Sequence, residues 1–327
     1  MSPVPMNPLP MNPLPMNHVT ILTGGVGGAK LVLGLCKAMA PEQVTAIVNT
    51  GDDFTHLGLR VSPDIDTLLY TLAGKANAAQ GWGREGETWS FMEALRGLGG
   101  EDWFQLGDGD LALHVLRTLR LNAGEPLSTI TAAFAQSWGL APAILPMSDD
   151  AVATELDTDE GRLDFQRYFV ARRCAPMASS IHFKGAEAAR PAPGVLEAIL
   201  RPDNLAILIA PSNPFLSIDP ILTVPGLREA LAAAPAPVVA VSPIVGGQAV
   251  KGPTAKLMTE LGLQISASAI AQHYEGVIDA LLVDERDPPE SLPIASARAD
   301  TLMRTLDDRI RVARAALALA AELAGPQ

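Results

Sequence analysis

Short runs of apolar and β-branched residues recur along the chain, with helically spaced apolar positions between them. The runs cover residues 19–23, 44–49, 205–209, 238–241 and 280–283. Each is short enough for a buried strand of a parallel sheet, and the segments between them predict helical crossover connections. The pattern therefore predicts an α/β protein with a parallel sheet, closed by an Ala/Leu-rich helix from about residue 302 to 324.

The middle of the chain, about residues 80–190, has a different pattern. It holds all four tryptophans and amphipathic stretches such as 111–121, with a short apolar run at 143–145. We predict a mostly helical insertion with a few strands, inside a single α/β domain that spans 17–327 and whose core is formed by about 17–75 and 190–327. Residues 1–16 are rich in proline and contain MNPLP twice, which predicts a disordered tail.

Composition narrows the possible partners. Acidic residues outnumber basic ones by 36 to 24, and the net charge of −12 disfavours nucleic-acid binding, because a polyanion would be repelled. A phosphorylated small molecule remains possible, since backbone amides, a cation or a metal can hold a phosphate locally. No apolar run is long enough to span a membrane, and the two cysteines show neither metal nor disulfide spacing. We therefore expect a cytoplasmic protein without a membrane partner.

A glycine-rich turn follows the first apolar run and precedes a helical pattern. It contains Gly24, Gly25, Gly27 and Gly28, followed by Lys30. Consecutive glycines let the backbone approach a phosphate, and the first amides of the following helix point at it. The turn does not match GxxxxGK[ST] and matches GxGxxG only loosely. A tight strand-to-helix turn without a ligand is the alternative.

Four aspartates lie within fifteen residues after the second apolar run. Asp52 and Asp53 end the segment VNTGDD, and Asp64 and Asp66 belong to SPDIDT. Carboxylates of this kind suit Mg²⁺, and one of them could orient or deprotonate an attacking hydroxyl. The alternative is that they form turns and helix caps, because Asp64 and Asp66 directly precede an apolar helical stretch.

Further polar segments flank other predicted elements. The segment LGDGD at 106–110 precedes a helical pattern with His114 and Arg117, where we favour helix caps and interpret His114 as a packed helix residue. The segments 148–150 and 212–214 follow strands, where small polar groups could bind a nucleotide or simply form turns.

In this order, the motifs resemble the 2-phospho-L-lactate transferase family over about residues 18–305. The matching segments are TGGVGGAK, VNTGDD, GLRVSPDIDTLLYTL, WFQLGDGDLALH, LPMSDD, APSNPFLSI, VSPIVGGQAVKGP and ASARADTLM. The resemblance implies a Rossmann-like sheet with helices on both faces, a homodimer, and Mg²⁺ as cofactor. It also implies transfer of a phospho-(three-carbon acid) group from a guanosine diphosphate donor to the ribityl hydroxyl of the deazaflavin Fo, with release of GMP, in coenzyme F-420 biosynthesis.

The resemblance further implies roles for individual residues. Asp66 would be the catalytic residue and would contact Fo, as would Gln105. The donor phosphates would be held by the glycine turn, that is by Gly24, Gly25, Gly27, Gly28 and Lys30. The nucleotide would lie near two polar loops, formed by Ser148, Asp149 and Asp150 and by Ser212, Asn213 and Pro214. The metal would be bound by carboxylates from the aspartate-rich segment, namely Asp52, Asp53 and Asp66.

One position departs from the family pattern and leaves the donor open. Many relatives read LGDRD where this chain has Gly109, so an arginine able to pair with a phosphate or carboxylate is missing. Lactate, enolpyruvate and glycerate all remain candidates for the acid. Two other functions compete with transfer. An NAD-dependent oxidoreductase is disfavoured by Asn49, which stands where a ribose-binding acid is expected, and a non-enzymatic nucleotide or sugar-nucleotide sensor is disfavoured by the aspartate-rich segment.

Overall fold

A computed structural model describes residues 17–77, 82–249 and 252–325, so the predicted tail at 1–16 lies outside the described residues. Within them, strands numbered in chain order form one central parallel sheet and three small antiparallel sheets. The strands of the central sheet are β1 (His18–Thr23), β2 (Val44–Val48), β5 (Ala143–Pro146), β9 (Asn204–Ile209), β10 (Val238–Val241), β13 (Ala280–Asp284) and β14 (Ala295–Ala299).

The strand order places a ligand crevice in the middle of this sheet. The order is β5-β2-β1-β9-β10-β13-β14, which, counted along the chain, is the Rossmann order 3-2-1-4-5-6 with a seventh strand added. The order reverses between β1 and β9. Loops leaving the carboxyl ends of these two strands diverge to opposite faces, and the space between them is where such folds bind ligands.

Helices cover both faces of the sheet, which confirms the predicted architecture. They are α1 (Gly25–Ala38), α2 (Pro63–Leu72), α3 (Ser90–Gly97), α4 (Asp110–Asn122), α5 (Leu127–Ser137), α6 (Val195–Ile199), α7 (Asp219–Thr223), α8 (Leu227–Ala232), α9 (Thr254–Glu260), α10 (Ala267–His273) and α11 (Leu306–Ala324). One buried core joins the sheet to α1, α2, α5 and α11, and a second core joins it to the helices α6 to α10. Side chains alternate along β1, where Val19 and Ile21 belong to the first core and Leu22 to the second.

The segment from 82 to 190 has helices first and strands afterwards. Helices α3 to α5 lie between residues 90 and 137, but the apolar run at 143–145 is β5 and pairs with β2 as an edge of the central sheet. Part of the predicted insertion is therefore built into the core. The small antiparallel sheets are β3 (Phe54–His56) with β4 (Leu59–Val61), β6 (Ala153–Thr158) with β7 (Gly161–Asp164) and β8 (Ala178–Lys184), and β11 (Ile244–Val245) with β12 (Gln248–Ala249).

The last helix begins four residues later than the sequence predicts, at a capping box. Thr305 Oγ1 accepts a hydrogen bond from the Asp308 amide at 3.2 Å, and Asp308 Oδ2 accepts one from the Thr305 amide at 2.8 Å. Such reciprocal bonds fix a helix start. Of the helices in the three described ranges, none combines the length and the apolar character that crossing a membrane requires.

Candidate active site

A cavity of about 650 Å³ lies at the carboxyl ends of β1 and β9. Its walls come from separate parts of the chain that the fold brings together. One end is lined by the glycine turn and by the residues after β9, β10 and β14, including Lys30, Ser212, Asn213, Ser242, Pro243, Thr301, Leu302 and Met303. The other end is lined by carboxylates and aromatic side chains, including Asp66, Tyr70, Trp82, Phe104, Asp110, Phe165 and Phe169.

Different physical constraints explain why individual positions of the turn are glycine. A Cβ on Gly28 would lie 2.1 Å from Thr23 Oγ1, one on Gly27 would lie 2.8 Å from the Pro211 carbonyl oxygen, and one on Gly24 would lie 2.6 Å from an Asp64 oxygen. These three glycines are required by packing against neighbouring segments. Gly25 instead has φ +64° and open space above it. Gly25 is thus the point where a ligand can approach the backbone most closely.

The other donor-site residues of the prediction lie around the same turn. Lys30 Nζ donates a hydrogen bond to the Met303 carbonyl at 2.9 Å, and Ser212 Oγ donates one to the Gly24 carbonyl at 2.7 Å. The side chain of Asn213 caps the following turn by accepting from two backbone amides, and its Nδ2 is buried without a partner. Gly28 and Pro214 are buried and do not belong to the described lining of the cavity.

Asp64 joins the start of α1 to the end of β2. Its Oδ1 accepts a hydrogen bond from the Gly25 amide at 2.8 Å, and its Oδ2 accepts one from Asn49 Nδ2 at 2.9 Å. Burial raises the pKa of Asp64 to about 6, although both hydrogen bonds favour the ionised form. The sequence suggested a cap for α2 at this position, but Asp64 lies inside the first turn of α2. Its carboxylate instead accepts from the first residue of α1, where the helix dipole favours negative charge.

Asp52 and Asp53 are adjacent in sequence but have different surroundings. Asp52 lines the cavity, and its Oδ1 is buried without a partner. Burial and then the charge of Asp64 raise the pKa of Asp52 well above its ordinary value. Asp53 does not belong to the described lining; it accepts a hydrogen bond from Ser62 Oγ at 2.6 Å, and burial raises its pKa to about 8.

Asp66 is paired with an arginine that the sequence did not single out for a role. Arg117 Nη1 donates to Asp66 Oδ2 at 3.1 Å, and Arg117 Nη2 donates to Asp66 Oδ1. The two side chains are only 4% and 1% exposed. Although burial opposes ionisation of Arg117, the Asp66 charge raises the pKa of the guanidinium. The guanidinium is therefore charged, and its two contacts with Asp66 are bidentate, which fixes the orientation of the carboxylate.

A chain of polar contacts extends this pair toward Tyr70. His114 Nδ1 lies 3.3 Å from Arg117 Nη1, and His114 Nε2 lies 3.0 Å from Asp110 Oδ2. The hydroxyl of Tyr70 donates to the other oxygen of Asp110. His114 is packed, as the sequence suggested, but it is packed inside a network that borders the cavity. The spacing of His114 and Arg117, three residues apart on one helix face, is the signal that could have identified this network.

Gln105 lines the cavity, as the sequence predicts for an acceptor-binding residue. Its side-chain amide donates to the Asp102 carbonyl at 2.7 Å, and its Oε1 accepts from Arg96 at 3.3 Å. Aromatic rings line the same cavity. Phe165 and Phe169 are stacked with ring centroids 5.3 Å apart on the same cavity. This end of the cavity has the flat apolar surfaces that suit a ring system.

The structure does not bring the 148–150 loop to the cavity, and this part of the predicted nucleotide site needs correction. Ser148 Oγ donates to the Arg190 carbonyl at 2.6 Å, Asp149 accepts from Ser128 at the start of α5, and Asp150 accepts from the Arg190 amide at 2.9 Å. The reason is the strand order: β5 is two strands away from β1, about 10 Å from the switch point.

The predicted metal-ligand set is not assembled as a group either. In the described part of the chain, no group of three or more His, Cys, Asp or Glu side chains is arranged to hold a metal. Asp53 accepts from Ser62 through one oxygen and does not belong to the described lining of the cavity, and both oxygens of Asp66 accept from Arg117. Asp52 and Asp64 are the remaining aspartates of the segment, and both line the cavity.

Comparison with known proteins agrees with this architecture. The family described as 2-phospho-L-lactate transferase CofD matches residues 19–321. A phosphoenolpyruvate transferase of Streptomyces coelicolor is 45% identical, with 94% of this chain and 99% of the relative covered. A 2-phospho-L-lactate transferase of Methanosarcina mazei is 38% identical, with 88% and 95% covered.

A solved structure of a Bacillus halodurans protein of the UPF0052 family has the same fold, with a TM-score of 0.61 at 18% identity over 92% of this chain and 98% of that one. The extent of the sequence match, together with two relatives above 30% identity over most of their length, decides the assignment. The chain belongs to the 2-phospho-L-lactate transferase family.

Proposed function

We propose that this protein transfers a phospho-(three-carbon acid) group from a guanosine diphosphate donor to the ribityl hydroxyl of the deazaflavin Fo, releasing GMP. The observation that carries the proposal is that one cavity joins a helix start suited to phosphate, a group of buried carboxylates and an aromatic wall. Its volume of about 650 Å³ falls in the range of small-molecule sites. The cavity thus offers separate surfaces for a diphosphate donor and a ring-bearing acceptor.

The donor's diphosphate fits the end of the cavity formed by the glycine turn. Gly25 leaves open space above the backbone. Its own amide donates to Asp64, but the other first-turn amides of α1 have no acceptor within the helix. Lys30 contributes a positive charge at the same end. The start of a helix and a lysine are a common arrangement for binding phosphate. Loops after β9 and β10, with Asn213, Ser242 and Pro243, would then surround the rest of the nucleotide.

Mg²⁺ fits Asp52 and Asp64 rather than the three aspartates first predicted. Mg²⁺ commonly binds one or two carboxylates and completes its shell with phosphate oxygens and water. Both side chains line the cavity. Asp52 Oδ1 is buried without a hydrogen-bond partner and could bind a cation directly, whereas the oxygens of Asp64 also accept hydrogen bonds from Gly25 and Asn49. A bound Mg²⁺ would supply charge neutralisation for the donor's phosphates.

The acceptor fits the aromatic end, with its hydroxyl directed toward Asp66. Both Asp66 oxygens already accept from Arg117, but a carboxylate has further lone pairs that can accept from a substrate hydroxyl. Asp66 would therefore orient the attacking oxygen, and the fixed ion pair would hold that orientation. The new phosphodiester bond forms as the bond from phosphorus to the GMP oxygen breaks, so positioning and charge carry most of the catalysis.

The acid of the donor is proposed from the relatives' names. The relatives from Streptomyces coelicolor and Kitasatospora aureofaciens, both 45% identical, are phosphoenolpyruvate transferases, and the one from Methanosarcina mazei is a 2-phospho-L-lactate transferase. We therefore favour the enolpyruvyl donor over the lactyl and glyceryl donors. The Mg²⁺ requirement and the homodimer stay predictions.

The test is incubation of the purified protein with Fo, Mg²⁺ and each of the three donors, followed by mass spectrometry. A conjugate of Fo with a phospho-(three-carbon acid) supports the proposal, and the donor that yields it identifies the acid. Absence of a conjugate with all three donors contradicts it.

A further inference from the structure

A network of charged side chains at the carboxyl ends of β13 and β14 ends on the wall of the cavity. Asp284, the last residue of β13, is fully buried. It accepts hydrogen bonds from the amide and the hydroxyl of Thr301, each at 2.8 Å, and from the amide of Arg286 at 2.9 Å. Thr301 lines the cavity together with Leu302 and Met303. One buried carboxylate thus anchors a segment of the wall.

Two arginines reinforce this anchor. Arg286 Nη1 lies 3.0 Å from Asp284 Oδ2 and 2.9 Å from Asp300 Oδ1, and Arg311 donates to the Leu302 carbonyl at 3.2 Å. Although burial opposes ionisation, hydrogen bonds from Arg286 and Thr301 hold the pKa of Asp284 below its ordinary value. The carboxylate is charged, and bonds to a charged acceptor are about twice as strong as neutral ones.

The segment 301–303 of the cavity wall in turn determines where the Lys30 ammonium lies. The Met303 carbonyl accepts the hydrogen bond from Lys30 Nζ at 2.9 Å. A lysine side chain is a flexible point charge with several rotatable bonds, so its position depends on what holds its end. A shift of segment 301–303 would move the acceptor and with it the Lys30 ammonium at the phosphate end of the cavity.

We propose that Asp284 is a positioning residue that, through Thr301 and the Met303 carbonyl, sets the place of Lys30 for the donor's diphosphate. The inference rests on the proposed function, since it assigns the phosphates to the Lys30 end. Asp284 itself does not belong to the described lining, so it acts through the wall and not by touching the donor.

The experiment is a double-mutant cycle with Asp284→Asn, Lys30→Met and the combined variant. The donor KM, kcat, the dissociation constant of GDP and the melting temperature are measured for each protein. We expect Asp284→Asn to raise the donor KM and the GDP dissociation constant about tenfold, the scale of one charge-assisted hydrogen bond, with kcat changed less than about threefold. The combined variant should bind no more weakly than Lys30→Met alone, because the two changes remove the same interaction.

Asp279→Asn is the matched control. Asp279 also accepts a backbone amide, that of Val238 at 2.8 Å, but it stands before the opposite, amino end of β13. The Asp279→Asn variant should have an unchanged donor KM. Should Asp284→Asn not fold, Arg286→Gln takes its place, since the Arg286 side chain is 41% exposed, and it should raise the donor KM by a smaller factor.

The positioning role would be overturned if the effects of Asp284→Asn and Lys30→Met on GDP binding multiply in the combined variant. It would also be overturned if Asp284→Asn lowers stability but leaves the donor KM and GDP binding unchanged. If no donor yields a conjugate but the cycle in GDP binding is non-additive, the proposed reaction fails and the positioning role stands. Failure of the unaltered protein to bind GDP would overturn the inference itself.

Discussion

Arg117 holds Asp66 by both carboxylate oxygens; both side chains are buried, and Asp66 lines the cavity. The pair connects α4 to the first turn of α2, and Arg117 also reaches the Arg60 carbonyl at 3.3 Å. Asp66 therefore cannot be treated as a free carboxylate. Its role in the site and its contribution to the stability of the fold have to be separated by experiment.

We predict that Asp66→Asn lowers both stability and rate. The amide cannot pair with the buried guanidinium, and breaking a buried ion pair on one side costs about 3–5 kcal/mol of unfolding free energy. The rate should fall on the order of 100-fold or more, the scale of a positioned polar group at a reacting hydroxyl. Unfolding by denaturant and turnover are measured on the same sample.

The double variant Asp66→Asn with Arg117→Met separates the two effects. Replacing both partners removes the unpaired charge, so most of the lost stability should return while the rate stays low. A stable double variant with a normal rate would show that Asp66 serves the fold alone.

We predict that turnover requires a divalent metal and that Asp52 carries more of this requirement than Asp53. Excess EDTA should abolish product formation. Asp52→Asn should raise the Mg²⁺ concentration for half-maximal rate about tenfold or more, because a carboxylate that lines the cavity is lost. Asp53→Asn is the matched control, since this neighbouring carboxylate does not belong to the described lining. Equal effects of the two substitutions would contradict the assignment.

Burial raises the pKa of Asp52 and Asp64, so both make the stability of the metal-free protein depend on pH, and so does Asp53. Its pKa is raised to about 8 from an ordinary value of 3.8 by burial, so the folded state keeps a proton that the unfolded state has lost between these values. This contribution is fully present below about pH 4 and is lost as the pH rises to about 8, by up to about 1.4 kcal/mol per pH unit. Asp53→Asn should make the decline shallower by removing the Asp53 contribution, while those of Asp52 and Asp64 remain. The melting temperature, followed from pH 5 to 8 in EDTA, measures it, and an unchanged slope would contradict the prediction.

Substitutions in the glycine turn should distinguish a glycine needed for packing from one that leaves the backbone open to a ligand. Gly28→Ala places a Cβ 2.1 Å from Thr23 Oγ1 and 2.8 Å from Ser212 Oγ, so it should lower stability by about 1–3 kcal/mol. Gly25→Ala meets no neighbour, but at φ +64° it costs about 1–2 kcal/mol of strain and covers the open backbone. We expect Gly25→Ala to raise the donor KM more than Gly28→Ala does. Steady-state kinetics and thermal melts of both variants decide the order.

The sequence predicted the elements that are buried on both sides and missed those that are not. The strands β1, β2 and β10 stand out because a strand covered by helices on both faces is apolar almost throughout. The edge strand Ala295–Ala299 has the sequence ASARA, is partly exposed and shows no such run. Strand β6, with the sequence ATELDT, alternates partly exposed and buried residues at its start and shows no such run either.

The site could be predicted where its residues directly follow adjacent strands of the sheet. It was harder to predict where two partners come from distant segments of the chain. The glycine turn and Ser212 meet because β1 and β9 are adjacent, which a parallel sheet with a switch point implies. The pairing of Asp66 with Arg117, fifty-one residues apart, depends on how α4 docks on α2, and no local pattern encodes that. The misplaced 148–150 loop has the same origin, because strand order is not visible in the sequence of β5.

The most direct measurement of the proposed transfer is the stoichiometry of products with Fo, Mg²⁺ and the enolpyruvyl donor. Nucleotide and deazaflavin products are quantified in one reaction by chromatography and mass spectrometry. The proposal predicts one GMP for each Fo conjugate, because attack occurs at the phosphorus that bears the acid and GMP leaves. Release of GDP, or consumption of donor without any Fo conjugate, would contradict it.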